Sequence, residues 1–399
     1  MVAAAFFWGS MFTVFYVYAL YPLAVTVLAA LFPRRIASDP SHCPTATLLI
    51  AAYNEERCIA RKLENALGLR YPRERLQIIV AADGSDDGTA EIVRGFADRG
   101  VALLHVPERS GKMAAIVRAM ARARGEIVIF SDANNIYDPD ALRQLVAPFA
   151  DPAVGAVGGA KQIFDDTRPL SRSEGLYWKY ESFIKSRETR LGSCVGAAGE
   201  ILAIRRELFS APPPHVINDD FYICMQIAGR GARVVYAPAA RSVEYASSSA
   251  TGEITRRARI VAGRYQAMLL LPRLVSLRHP LLLWQVVSHK FMRPLVPFAM
   301  VGALAGNIGM LAAPPPAGPL PLLRGTPPWG GIFFAAQALF YGLALLGSRI
   351  RGKGVAGKLL HLPAFLVQSN YAALLGFLGL FRGKRGVLWK RVARGDEAP

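Results

Sequence analysis

The residues best suited to chemistry in this chain are oxygen-bearing side chains placed just after apolar runs. Asp132 and Asn134 stand one small residue apart behind Ile127–Phe130. Two oxygen ligands at that spacing suit one divalent cation, Mg²⁺ or Mn²⁺, which commonly binds through few protein oxygens plus substrate phosphates. Asp83 and Ser85 follow the run Leu76–Ala82, and Asn54 and Glu55 follow Thr47–Ala52 and Tyr53. At such a place Asp83 suits a hydrogen bond to a ribose or base. Lys112, behind Ser110 and Gly111 at the start of a helical pattern, suits a diphosphate, although no Walker pattern precedes it. Each acidic residue could instead cap a helix. Three strand ends meeting on one edge favour a ligand site, and the chemistry that suits it is a metal-bound nucleoside diphosphate.

The surrounding pattern supplies that edge. Runs at 47–52, 76–82, 101–106 and 127–130 read as buried strands, and helical patterns lie between them, one from Lys112 to Arg122. This alternation predicts a doubly wound, mostly parallel α/β sheet. In such a sheet ligands bind outside the carboxyl ends of the strands. Ser173–Arg190 reads as an amphipathic helix with Leu176, Tyr177, Tyr180, Phe183 and Ile184 on one face.

The chain has 399 residues, 52% of them hydrophobic, and a formal charge of +18. Soluble chains are less apolar than this. Residues 34–253 are close to electrically neutral, whereas Arg256 to Arg293 holds eight basic residues and no acidic one. The rest of the excess lies in the C-terminal tail. Basic residues beside apolar runs suit an anionic lipid surface, not a nucleic-acid duplex, which calls for a basic stripe on the folded module. The runs are membrane-length: one helix over 11–32, then Pro294–Ala313, Trp329–Ser348 and Leu359–Phe381. Arg34 and Arg35 place the following domain on the cytoplasmic side of a cell membrane, and Arg349, Arg351, Lys353 and Lys358 mark a second cytoplasmic loop. Four crossings would put the basic tail outside, so either Leu359–Phe381 re-enters at Pro363 or one earlier run does not cross. The expected organisation is a membrane helix (1–33), a cytoplasmic domain (34–265), interfacial helices (266–293), membrane segments (294–381) and a basic tail (382–399). Cys43, Cys58, Cys194 and Cys224 lack metal-ligand spacing and read as small buried hydrophobes.

In order along the chain, Ala51-Ala52-Tyr53-Asn54-Glu55-Glu56, Ala82-Asp83-Gly84-Ser85-Asp86-Asp87-Gly88-Thr89, Ser110-Gly111-Lys112, Ser131-Asp132-Ala133-Asn134, Gly196-Ala197-Ala198-Gly199 and Asn218-Asp219-Asp220 resemble the motifs of family 2 glycosyltransferases. These are GT-A-fold enzymes that include cellulose, chitin and hyaluronan synthases. The resemblance covers about residues 45–265 and a membrane-embedded C-terminus. It implies an inverting transferase that passes a sugar from a nucleotide-sugar donor, a uridine one by family likeness, to a lipid-linked or glycan acceptor. It implies nucleotide contacts from Ala52, Tyr53, Asn54, Glu55, Asp83 and Ser85, metal ligation by Asp132 and Asn134, and Asp220 as catalytic base beside Asp219.

Two positions depart from the family pattern. Asn134 replaces the second Asp of D-x-D. Where Gln-x-x-Arg-Trp is expected, Arg256 replaces Gln, Arg259 keeps the Arg and Ile260 replaces Trp, which weakens the analogy with polymer synthases. Arg256 and Arg259 could balance diphosphate charge or form the basic face of a lipid-facing helix. A nucleotidyltransferase and an inactive membrane scaffold are the rival readings.

Overall fold

The computed structural model describes residues 1–164, 169–245, 250–316, 319–349 and 354–381. The tail 382–399, with its basic cluster, and the loop residues Arg351 and Lys353 lie outside them, as does the side chain of Leu176.

Eight strands form one sheet: β1 (Ala46–Ala52), β2 (Leu76–Asp83), β3 (Val101–Val106), β4 (Ile127–Asp132), β5 (Asn135–Tyr137), β6 (Val154–Phe164), β7 (Leu202–Arg205) and β8 (Arg233–Tyr245). Their order is β3-β2-β1-β4-β7-β6-β8-β5. The first four are parallel, with Ala52 opposite Ala82 and Ala51 opposite Asp132. Every residue of β1 is buried, as expected of a strand covered on both faces, and this is why its sequence is continuously apolar. Beyond β4 the sheet turns mixed: β7 runs antiparallel to both β4 and β6, and β5 antiparallel to β8. The parallel prediction therefore holds for the half of the sheet built from β1 to β4, and the added strands extend it away from that half.

Helices α2 (Ile59–Leu67), α3 (Thr89–Arg94), α4 (Lys112–Met120) and α5 (Ala141–Val146) cover the sheet. They divide its apolar side chains into two buried clusters, one per face. Helix α6 (Pro169–Leu191) lies against β8, where Tyr236 bonds its Thr189 and Ser182, α7 (Asp219–Gly229) precedes β8, and α8 (Ala250–Leu274) follows it.

Four helical runs are long and apolar enough to cross a membrane: α1 (Val2–Leu31), α9 (Pro280–Ala312), α10 (Trp329–Arg349), and Leu362–Gly379 within α11 (Gly354–Phe381). Two differ from the sequence reading. Helix α1 begins at Val2 and not near residue 11. Helical backbone in α9 begins earlier, at Pro280, and changes character near the expected boundary: a looser turn at Val286–Phe291 is followed by a tighter one at Arg293–Leu295, and the regular helix runs from Val296. At this junction the Arg293 guanidinium is bonded to Glu181 of α6. Helix α6 spans more than the predicted 173–190, and its aromatic face is only partly inward. Ile184 is buried, Tyr180 donates to the Tyr18 carbonyl at 3.1 Å, and Phe183 is exposed. At 3.6 residues per turn Phe183 falls on the far edge of the stripe.

Helices α1 and α9 pack closely through small residues. A methyl group placed on Gly306 would lie 2.8 Å from the Phe7 nitrogen, and one on Gly302 would lie 2.6 Å from the Ser10 hydroxyl. Glycines four apart let two helix backbones approach. Gly306→Leu should separate the pair and cost about 1–3 kcal/mol. A thermal melt of the detergent-solubilised protein should show a lower midpoint, with Gly331→Ala, at an open position, as the unaffected control.

Candidate active site

The carboxyl ends of β1, β2 and β4 converge on an open cleft of about 240 Å³, lined by Ala51, Ala52, Tyr53, Asp83, Arg109, Gly111, Lys112 and Ala115. Of the residues expected from sequence to touch a substrate, Ala52, Tyr53, Asp83 and Lys112 are among its walls. Asn54, Glu55 and Ser85 are not. They tie the β1 and β2 loops together. Asn54 adopts a left-handed conformation (φ 54°), which Asn tolerates better than most residues. In it the side-chain amide donates to Asp86 at 2.6 Å and its carbonyl accepts from the Asp86 N–H, while the Asn54 N–H donates to Ser85. Glu55 is buried, with its N–H donating to Thr89 and its carboxylate accepting from the Cys58 thiol. The four cysteines are free thiols, all buried except the half-buried Cys43.

Asp83 has a bracing role that its position in the sequence does not show. Its carboxylate accepts from the N–H groups of Ser110 at 3.0 Å and Gly111 at 2.5 Å, and it pairs with Arg118 at 2.5 Å. The turn before Lys112 is thereby held against β2. Gly84 is required beside it: φ is +67°, and a methyl group there would meet the Arg109 backbone at 2.7 Å. Arg109 and Arg118 were not singled out in the sequence. Arg109 stacks over the Tyr53 ring with 3.7 Å to its centroid, placing a cation at the mouth of the cleft. The signal that could have found it is its place three residues before Lys112 in a basic loop.

Lys112 pairs with Asp132 at 2.5 Å. Burial alone would lower its pKa, but Asp132, Asp219 and Asp220 together hold it above the usual range. Lys112 is thus within electrostatic range of both the D-x-N turn and the acidic pair Asp219–Asp220, 85 or more residues further along the chain. Asp219 and Asp220 open α7. The Asp220 carboxylate accepts from the N–H of Gly199 at 3.2 Å and of Phe221 at 2.7 Å. Burial, followed by the neighbouring Asp219, raises its pKa, and these N–H groups and Lys112 oppose the rise. One of its oxygens thus serves an N–H in the first turn of α7, whose N-cap residue, Asn218, makes no side-chain capping bond.

The turn before this pair is clamped by α8. Asn218 donates to the Ile260 carbonyl at 2.9 Å, and Gln266 bridges the Ile217 N–H and the His215 carbonyl. A methyl group on Gly263 would strike the Asn218 side chain at 2.5 Å. Arg256 and Arg259 stand on this helix but do not line the cleft. Between them, Arg257 bonds Ser369 of α11 at 3.0 Å. The helix therefore joins the acidic pair to a membrane-length helix.

Asn134 Oδ1 is buried and has no hydrogen-bond partner. An orphaned oxygen beside Asp132 at the cleft edge fits a cation ligand. Among the described residues no group of three His, Cys, Asp or Glu side chains forms a metal site, so a cation here needs phosphate oxygens to complete its shell. Behind the turn, buried Lys62 donates to both the backbone and side-chain oxygens of Asn135 at 2.9 Å. Asn135 in turn donates to the Glu200 carbonyl and the Ser242 hydroxyl.

A parallel half-sheet with an open cleft at its carboxyl edge, a D-x-N turn beside it and a buried acidic pair corresponds to the GT-A class of fold. Residues 47–211 match the model for glycosyl transferase family 2, and the chain carries a domain of that family. Over 229 residues it is 27% identical to the poly-beta-1,6-N-acetyl-D-glucosamine synthase of Staphylococcus aureus (strain COL), covering 56% of this chain and 55% of that one. The chain spans about half the length of the curated relatives it matches. It is 32% identical over 133 residues, 32% of either chain, to the probable glycosyltransferase YdaM of Bacillus subtilis. Among solved structures, the mannosyltransferase PcManGT from Pyrobaculum calidifontis, in complex with GDP-Man and Mn²⁺, superposes with a TM-score of 0.70 and 25% identity. The match covers 93% of this chain and 99% of that one.

Two measurements test this geometry. If Asn134 ligates the cation, Asn134→Asp should tighten Mn²⁺ binding about tenfold, since an added charge raises affinity, and Asn134→Ala should weaken it. Mn²⁺ titration followed by electron paramagnetic resonance reads both, and equal affinities in all three proteins would remove Asn134 from the site. Burial pushes the Lys62 pKa down to about 7, below the unfolded value near 10.4. Between those two pH values the unfolded chain binds more protons at Lys62 than the folded one, so this group makes stability rise with pH across the window and fall as pH drops toward 7. Denaturation at a series of pH values should show that slope diminished in Lys62→Met.

Proposed function

We propose that this chain is an inverting glycosyltransferase. It moves a sugar from a nucleoside-diphosphate sugar, preferentially a UDP-sugar, to a hydroxyl of a lipid-linked or polysaccharide acceptor at a cell membrane. The observation that carries the reading is Lys112, which lines the cleft, pairs with Asp132 at 2.5 Å and lies within electrostatic range of Asp219 and Asp220.

Each part has a task. Tyr53 and Arg109 form a platform and cation for the nucleotide, and Asp83 fixes the Ser110–Lys112 turn so that its basic end faces the diphosphate. Asp132 and Asn134 would hold Mg²⁺ or Mn²⁺, which supplies positive charge to the departing diphosphate. Lys112 is positioned to neutralise the same charge as it develops. Asp220 takes the proton from the acceptor hydroxyl while that oxygen bonds the anomeric carbon, and the bond from that carbon to the diphosphate oxygen breaks. One base and no second nucleophilic carboxylate correspond to a single displacement with inversion. The basic residues Arg34 and Arg35 after α1 support a cytoplasmic catalytic domain on a multi-pass chain, with lipids around its apolar helices and no nucleic-acid partner.

The test is release of nucleoside diphosphate by the lipid-reconstituted protein with Mn²⁺ or Mg²⁺, an acceptor extract and a panel of UDP- and GDP-sugars. Asp220→Asn should lower kcat about 10³-fold, as expected on removing a general base. Unchanged turnover would reject the assignment, and failure to bind any nucleotide would return the chain to the scaffold reading. The base must be unprotonated, so kcat should fall as pH drops through its raised pKa. Asp219→Asn removes one cause of that rise and should move the acid limb to lower pH.

A further inference from the structure

Lys62 of α2 is fully buried against β5, the strand that follows the D-x-N turn. Its Nζ donates to the backbone carbonyl and to the side-chain oxygen of Asn135, both at 2.9 Å, and lies 4.1 Å from the centroid of the Tyr137 ring. A buried amine costs free energy unless its donors are used, and an apolar side chain would pack here without that cost. Docking of α2 on β5 has its own anchor. Asn65, one turn further along α2, donates to the Tyr137 carbonyl and accepts from the Tyr137 N–H, both at 2.9 Å. What Lys62 adds is a hold on Asn135, the residue directly after Asn134.

Asn135 closes the turn. Its Oδ1 accepts from Lys62 and from the Ser131 hydroxyl at 3.0 Å, and its Nδ2 donates to the Glu200 carbonyl and the Ser242 hydroxyl, both at 2.8 Å. Ser131 immediately precedes Asp132, so one amide group bridges the segment that carries Asp132 and Asn134. Lys62 bonds through its N–H groups, so the oxygen of that amide and not its nitrogen faces it. The same Nζ bonds the main chain of Asn135, which ties the orientation of the amide to the path of the strand. Burial pushes the Lys62 pKa down to about 7, against the opposing pull of Asp132, Glu200 and Cys58. The neutral amine has two N–H donors, one for each Asn135 oxygen, and brings no charge to repel a cation. Asn134 itself brings none to attract one, so affinity at this turn depends on how its oxygen is placed.

We propose that Lys62 is a positioning residue for the cation turn: by bonding both oxygens of Asn135, it fixes the segment from Ser131 to Asn135 in the shape that makes Asp132 and Asn134 a single cation site. The inference rests on the reading of Asp132 and Asn134 as the ligands. Lys62 does not line the cleft and acts only through Asn135. Groups that orient a metal's ligands from behind change its affinity by about 10- to 100-fold.

The full chain in detergent is titrated with Mn²⁺ at about pH 8, where Lys62 is mainly neutral, with UDP and GDP present. Binding is read by electron paramagnetic resonance, and the thermal midpoint of each variant is recorded beside it. Lys62→Met keeps the length of the side chain, removes both donors and should weaken Mn²⁺ about tenfold. Asn65→Ala loosens α2 without touching Asn135; it should lower the midpoint and leave Mn²⁺ affinity unchanged. If Lys62→Met does not fold, Lys62→Gln, one atom shorter, replaces it and should weaken Mn²⁺ in the same direction. The inference is overturned if the Lys62 variant binds Mn²⁺ as tightly as the parent, or more tightly, as removal of a positive charge alone would give. It is equally overturned if Asn65→Ala weakens Mn²⁺ as much. Asn134→Ala separates the two readings. If it weakens Mn²⁺ while the Lys62 variant does not, the cation turn stands and this inference alone falls. If it binds like the parent, or the parent takes up no Mn²⁺, the cation turn itself fails and this inference falls with it.

Discussion

Three carboxylates, those of Asp132, Asp219 and Asp220, share the neighbourhood of one ammonium, and the arrangement of the catalytic edge follows from that. Like charges this close repel unless a cation separates them. Lys112 pairs with Asp132 and lies within electrostatic range of Asp219 and Asp220, and the turn before it is fixed. Asp83 fixes it, with two backbone N–H groups and Arg118 on a single carboxylate. The apolar strands beneath then act as a rigid base: β1, β2 and β4 end in register, so Ala51, Ala82 and Asp132 stand side by side. The edge thus holds charges of both signs in place, as the proposed nucleoside diphosphate and divalent cation would require.

The two sides of the site belong to different parts of the sheet. The nucleotide side rests on the parallel strands and their loops, which are tied to one another by Asn54, Ser85 and Asp86. The acidic-pair side rests on Gly199, α7 and α8, and α8 also packs against α11, where Gly376 lies against the Ala258 carbonyl. An acceptor approaching the acidic pair therefore meets a surface continuous with the membrane-length helices. The buried charge around Glu181 and Glu188 belongs to the same seam. It joins α1, α6 and α9, so a helix that would otherwise be an independent apolar rod is locked to the domain by ion pairs and hydrogen bonds.

Much of this was legible in the residues. Continuous apolar runs ended by acidic or amide residues located four strands and their ligand edge, because a parallel strand buried on both faces has no polar alternation to confuse it. The D-x-N turn, Lys112 and the adjacent aspartates were all visible by spacing. Arg109 and Arg118 were not, since a lone arginine in a basic loop or on a helix looks like solvent-facing charge until its partner is known. The partner of Arg293 was hidden for the same reason, since the carboxylate that neutralises it comes from another helix.

What the sequence determined by itself was local: strand positions, the apolar lengths of the helices, and the side chains placed after each strand. These depend on periodicity and on the backbone preferences of neighbouring residues. Tertiary structure alone decided which charges meet. Arg118 reaches Asp83 across 35 residues, Gly199 reaches Asp220 across 21, and Arg293 reaches Glu181 across 112. Pairing at such separations is set by how strands order themselves in a sheet and how helices cross, and no local pattern encodes it.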